Sequence, residues 1–213
     1  MRQRIVDKFH LEYDRERVWE KTTWLGIPIW KLPFDAFIIQ ELIFKLRPDY
    51  IIETGTGCGG SSLFYASIME LLGKGQVITI DVEKKIVPSN PLADQIKEKR
   101  IVEISGSSVE PRVYNLVRSM AQGKDNLVIL DSWHCKEHVL EELDIYSDLV
   151  KPGFYIIVED THVNKHPIPW QWGAGPYEAV QDFLKYDRSF LIDKDCEKLF
   201  CTFNPGGYLK RIA

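Results

Sequence analysis

Tyr50-Ile51-Ile52-Glu53-Thr54-Gly55-Thr56-Gly57-Cys58-Gly59-Gly60-Ser61-Ser62 is the stretch that decides the fold. A short apolar run enters a cluster of glycines, and Ser61–Leu72 then repeats apolar residues at helical spacing and stops at Gly73. Glycines let a backbone turn tightly and approach a ligand closely, because no β-carbon intervenes. The helix that follows opens with unpaired N–H groups, which favour polar or anionic ligand atoms.

The same alternation continues downstream. Gln76–Val82 reads as a strand, Pro91–Lys99 as a short helix, Arg100–Ser105 as a third strand and Val109–Gln122 as a helix. Asn126–Asp131, Lys136–Val150 and Gly153–Asp160 add a strand, a helix and a fifth strand. Strands separated by helices of this length imply right-handed crossovers and a parallel sheet covered on both faces. Beyond the helix Tyr177–Tyr186, Ser189–Ile192 and Lys198–Phe203 are strand-like, and residues 204–207 turn the chain into Tyr208–Ile212.

Upstream, Pro33 starts a helix whose expected buried face is Phe34, Phe37, Ile38 and Leu42, and Arg47-Pro48-Asp49 ends it. Residues 1–31 read as one helix followed by an irregular aromatic segment, and residues 32–213 as the main domain. The expected class is α/β: a doubly wound, mostly parallel seven-stranded sheet ending in an antiparallel hairpin, with an N-terminal helical segment.

Composition narrows the possibilities. Of 213 residues, 45% are hydrophobic and 27% charged, which excludes wholesale disorder and fibrous repeats. Lys and Arg number 27 against 31 Asp and Glu, a formal charge of -4 that supplies no general basic field for nucleic acid or an anionic membrane. No apolar run reaches the roughly 18 residues of a membrane span, and the charged N-terminus does not read as a signal peptide. Cys58, Cys135, Cys196 and Cys201 show no CxxC pairing, so a disulfide framework or structural zinc is not expected and a cytoplasmic setting is. The aromatic N-terminal segment suggests self-association into a homo-oligomer.

Two ligands compete for the glycine loop. Gly55, Gly57 and Gly60 fit the dinucleotide fingerprint GxGxxG, whereas Glu53, Gly55, Gly57 and Gly59 fit the acidic-x-GxGxG loop of S-adenosylmethionine enzymes. Glu53 discriminates, because a carboxylate repels a pyrophosphate and attracts a methionine ammonium. Asp81, ending Ile78-Thr79-Ile80-Asp81, is spaced to accept hydrogen bonds from ribose hydroxyls, which both ligands contain. Ser105-Gly106-Ser107-Ser108 is expected either beside an adenine or as a cap ahead of Val109.

Asp131 ends the fourth strand and Glu159-Asp160 the fifth. If those strands are neighbours, three acids crowd one edge. Two like charges ~4 Å apart repel by about 4 kcal/mol at an effective dielectric near 20. Such a group needs a proton, a basic partner or a metal cation, unless the acids are separate and solvated. All-oxygen ligation favours magnesium over zinc. His134, three residues after Asp131, either serves as a general base or is a structural hydrogen-bonder. The long segment from His162 to Pro176, with Trp170 and Trp172, reads as a lid over a flat acceptor or as a surface contact.

In combination these residues resemble the cephalosporin hydroxylase family, built like class I methyltransferases, and the catalytic domains of macrolide-sugar O-methyltransferases. The resemblance runs from about Leu32 to the end, through Gln40-Glu41-Leu42-Ile43, Arg47-Pro48-Asp49, Ile51–Ser62, Gly106-Ser107-Ser108, Asp131-Ser132 with His134, His138-Val139-Leu140, Glu159-Asp160 and Gly207-Tyr208-Leu209. It implies S-adenosylmethionine bound by Glu53, Gly55, Thr56, Gly57, Gly59, Ser61, Asp81, Ser107, Ser108 and Asp131. It also implies magnesium (Mg2+) held by Asp131, Glu159 and Asp160, with His134 as the catalytic base. Trp133 and Cys135 stand where relatives carry smaller polar residues, which bears on the acceptor pocket. The implied activity is Mg-dependent O-methyl transfer to a small hydroxylated metabolite such as a sugar. A nicotinamide-linked oxidoreductase and a non-catalytic S-adenosylmethionine-binding partner subunit stand as alternatives.

Overall fold

The computed structural model describes every residue except 84, 86, 88 and 170–172. The chain begins with α1 (Arg2–Arg15), a short 3-10 turn over Val18–Lys21, and a small hairpin of β1 (Thr23–Trp24) and β2 (Ile27–Pro28). Then follow α2 (Pro33–Leu46), β3 (Tyr50–Thr54), α3 (Gly60–Leu72), β4 (Gln76–Asp81), α4 (Pro91–Arg100), β5 (Ile101–Ser105) and α5 (Pro111–Ala121). The second half contains β6 (Asn126–Leu130), α6 (Lys136–Tyr146), β7 (Tyr155–Val158), α7 (Pro176–Tyr186), β8 (Phe190–Ile192) and β9 (Tyr208–Arg211).

The main sheet has seven strands in the order β5-β4-β3-β6-β7-β9-β8. The pairs from β5 through β7 are parallel, and β9 runs antiparallel to both β7 and β8. The chain builds outward from β3 to β5, then crosses back to lay β6 on the other side of β3. Crossovers in opposite directions open a crevice at the carboxyl ends of those two strands. All five β6 residues are buried, as a strand covered on both faces requires. Ile52, Val128 and Ile156 pack toward α5, α6 and α7, whereas Ile51, Leu127 and Ile157 pack toward α2 and α3.

Two expectations need correction. Lys198–Phe203 is not a strand. Its polar groups are spent on loop contacts instead: the Phe203 N–H donates to Asp35 Oδ2 at 2.8 Å, the Thr202 hydroxyl donates to Asp35 Oδ1, and the Phe203 carbonyl accepts from the His162 N–H. The terminal hairpin is therefore β8 with β9, joined by a long connection. The buried face of α2 is Ile38, Ile39, Leu42 and Ile43, while Phe34 and Phe37 are exposed, Phe37 by 67%. The apolar stripe is wide, and the sheet selects its aliphatic side. Among the described residues no helix is long and apolar enough to cross a membrane.

Asp35 ties α2 to the end of the chain, since Tyr208 of β9 also donates its hydroxyl to this carboxylate at 2.8 Å. Asp35→Ala strands these buried donors, and unsatisfied buried groups cost about 1–3 kcal/mol each. Urea denaturation is expected to show a loss of about 3 kcal/mol.

Candidate active site

A cavity of about 800 Å³ opens at the crevice between β3 and β6. That volume suits a cofactor together with part of a second ligand. The loop after β3 forms its floor. Gly55 has φ +86, and a β-carbon there would stand 1.9 Å from the Asp131 carbonyl oxygen. At Gly60 a β-carbon would stand 2.1 Å from the Pro28 carbonyl oxygen, so only glycine lets the β2 strand lie against the start of α3.

Gly55, Thr56, Gly57, Gly59 and Ser61 all line the cavity. Asp81 lies on the wall with both oxygens engaged, Oδ2 accepting from the Gly57 N–H at 2.9 Å and Oδ1 from the Glu83 N–H at 3.0 Å. Ser107 and Ser108 line the far wall. The Ser108 hydroxyl donates to buried Glu142 at 2.5 Å, and Ser132 donates to the same oxygen at 2.7 Å. His138 Nε2 stands 3.2 Å from Ser108 Oγ and 3.1 Å from Ser132 Oγ.

Glu53 requires a correction of place. Its carboxylate lies beneath the loop, away from the cavity wall, where Oε2 accepts from the hydroxyls of Ser62 and Thr79. β3 is buried along most of its length, so a side chain near its end points into packed protein. Oε1 has no hydrogen-bond partner among the described residues.

The strand-end acids do come together, but not as three equals. Asp131 and Asp160 line the cavity, whereas Glu159 is buried behind them. Lys31, with its side chain 2% exposed, places Nζ 3.0 Å from Asp131 Oδ2 and 3.0 Å from Glu159 Oε1. Burial opposes this ammonium, but Asp131 and Glu159 outweigh it and hold the lysine charged, well above its ordinary value. Burial pushes the Asp131 carboxyl up to about 6, against the pull of Lys31.

On the cavity side, His134 Nε2 lies 3.1 Å from Asp160 Oδ2 and 4.0 Å from Asp131 Oδ1. Burial works against the imidazolium, yet the Asp160 hydrogen bond and charge lift His134 to about 9. Burial would raise Asp160, but the same partnership holds it at about 2. One ligand atom each from Asp131, His134 and Asp160 lies within 4.8 Å of the others, a spacing that suits a single cation.

The region beyond Asp160 is aromatic. His162 stacks on Phe203 with centroids 4.2 Å apart and planes 1° apart, and His10 of α1 leans on both rings. Trp30 lies beside Gly57 on the cavity wall, and Trp133 joins the wall while 65% exposed. Trp24 instead packs edge-on against Phe64 and donates its indole N–H to Ser67 at 3.0 Å. Trp170 and Trp172 of the expected lid lie outside the described residues.

The model of the family described as Rhamnosyl O-methyltransferase/CmcI matches residues 16–212. The chain belongs to that family. The match takes in residues 16–31, ahead of the point where the sequence resemblance starts. A rhamnosyl O-methyltransferase of Mycobacterium bovis is 32% identical over 212 residues, covering 97% of this chain and 85% of the relative. Its counterpart from Mycobacterium leprae is 33% identical over 215 residues, covering 97% and 90%. Among solved structures, a CmcI apo-structure matches with TM-score 0.68 at 20% identity, over 91% of this chain and 77% of that one. CmcI with Mg-SAM matches with TM-score 0.68 at 18% identity, over 91% and 78%. MycE with Mg, SAH and mycinamycin VI matches with TM-score 0.50 at 19% identity, over 72% of this chain and 39% of that one. These likenesses show the Rossmann-like methyltransferase fold.

Sequence reasoning missed Lys31 and the Glu142–His138 network. Among charged surface residues nothing marks a lysine that turns inward. The i, i+4 spacing of His138 and Glu142 on one face of α6 was a usable signal.

His162 sets an acid-side dependence of stability. Burial lowers its pKa from 6.5 to about 4, so it is neutral when folded. Between those values the unfolded chain binds the extra proton, and stability rises with pH wherever the unfolded state binds more protons. Stability is therefore lost as pH falls from 6.5 toward 4. Urea titrations of metal-free protein across that window should show a shallower decline in His162→Gln.

Proposed function

We propose that this chain is an S-adenosylmethionine-dependent, Mg-dependent O-methyltransferase acting on a hydroxyl of a small metabolite, a sugar in the first instance. The observation that carries the reading is the cluster of Asp131, His134 and Asp160 in the same cavity as the glycine loop. Family membership and the rhamnosyl O-methyltransferase relatives support the sugar class.

Asp131, Glu159 and Asp160 would hold the magnesium ion, an oxygen donor set that fits a hard divalent cation. The glycine loop and Asp81 would hold the nucleoside, with Ser107 and Ser108 on the side of the adenine. Glu53 would act from beneath the loop on the methionine ammonium. When bound, S-adenosylmethionine supplies an electrophilic methyl group, and a divalent cation lowers the pKa of a hydroxyl it touches.

His134 takes the acceptor proton at Nε2, the nitrogen that faces Asp160 and Asp131. An imidazole held at about 9 is already protonated at neutral pH. It becomes a base once the Asp160 charge is engaged elsewhere, so ligation of Asp160 and activation of His134 belong together. The cavity walls would hold an acceptor beside the bound cofactor, and that positioning would supply the entropic part of the rate.

A second reading makes His134 a ligand in place of Glu159, because its Nε2 belongs to the compact trio. His134→Ala separates the two. As a base variant it keeps Mn2+ affinity and S-adenosylhomocysteine affinity in calorimetry and loses turnover by about 100-fold or more. Loss of Mn2+ affinity as well would make it a ligand. EDTA is expected to abolish transfer and excess magnesium to restore it. Tight binding of NAD(H) in place of S-adenosylmethionine would overturn the whole reading.

The reading includes a cytoplasmic setting, supported by cysteines that are all free thiols, and a homo-oligomer, supported by exposed Phe34, Phe37, Phe44 and Leu71.

A further inference from the structure

Lys31 immediately precedes Leu32, the residue that caps α2, and it approaches the strand-end acids from beneath the cavity. It takes one oxygen from each of two acids, Asp131 Oδ2 and Glu159 Oε1, both at 3.0 Å. The second oxygen of Asp131, Oδ1, faces His134 Nε2 at 4.0 Å. Ionised, Asp131, Glu159 and Asp160 carry three negative charges, and Lys31 cancels one. With His134 neutral, as it is once Asp160 is engaged by a cation, the remainder is the charge of a single divalent ion.

We propose that Lys31 is a positioning residue of the cation site, fixing Asp131 and Glu159 through one oxygen apiece and trimming the cluster's charge to suit a divalent rather than a trivalent ion. This inference rests on the reading that the cluster holds a divalent cation. A lysine in this place is costly to desolvate, so a hydrophobic residue would serve packing alone at least as well. The ammonium is retained where two carboxylates must stay close and face one way. His134 meets the acids from the opposite, cavity side. Glu53 lies further off, held by Ser62 and Thr79, and is the same in every variant compared.

The test is the ratio of Tb3+ to Mn2+ affinity in the full chain, read by terbium luminescence and manganese paramagnetic resonance. Removing one positive charge a few ångströms from the ion favours the higher-charged cation, by about tenfold or more at an effective dielectric near 20. Lys31→Met is therefore expected to raise the Tb3+/Mn2+ ratio by at least about tenfold, with S-adenosylhomocysteine binding intact. An unchanged ratio in the folded variant overturns the proposal.

If Lys31→Met does not fold, Lys31→Gln keeps a hydrogen-bond donor beside both carboxylates without the charge. It is expected to raise the ratio in the same way. Failure of this variant to fold, or an unchanged ratio, overturns the charge-matching role. If the wild-type chain binds no Mn2+, the cation site itself falls and the role of Lys31 with it. If Mn2+ binds and the Lys31→Met ratio does not move, only the role of Lys31 falls.

Discussion

The backbone of Gly55 passes so near Asp131 that a β-carbon would stand 1.9 Å from the Asp131 carbonyl oxygen. That contact exists because β3 and β6 are hydrogen-bonded neighbours with Thr54 opposite Leu130, although 76 residues separate them in the chain. It joins the two halves of the site. The loop that follows β3 and the acids that follow β6 and β7 open into one cavity because the crossover changes direction between those strands.

Burial of charge is the second constraint. Acids at adjacent strand ends cannot remain ionised and apart from water without compensation. The fold supplies two partners of different kinds. Lys31 comes from beneath and stays charged, and His134 comes from the cavity side, where its state follows that of Asp160. Delivery of Lys31 depends on the N-terminal segment, which lies across α3 because Gly60 admits Pro28 and because Asn90 donates to the Leu25 carbonyl at 2.8 Å. The residues ahead of α2 thus belong to the site as much as to the periphery.

Much of this was legible beforehand. Apolar runs punctuated by Gly73, Arg47-Pro48 and the glycine loop mark β3 to β7 and the helices between them, because periodicity and turn chemistry are local. Asp81, Asp131 and Asp160 were legible as strand-end acids, and all three reach the cavity. The misreadings have a common cause. Lys198–Phe203 has strand-like composition, yet Asp35, far away in sequence, claims its polar groups. The α2 stripe is too broad for its period alone to say which side faces the sheet. Lys31 lies 100 residues from Asp131 in the chain, and no local pattern marks it.

The sequence alone determined the order of strands and helices, the glycine turn and the positions of carboxylates at strand ends, since each depends on a few consecutive residues and their backbone preferences. Tertiary structure alone decided that Glu53 lies under the loop, that Glu159 turns to Lys31 while Asp160 turns to His134, and that Ser108 serves Glu142. Those choices depend on which groups are brought within about 3 Å by strand adjacency and on how each buried charge finds its compensation, and neither is a property of any short stretch of chain.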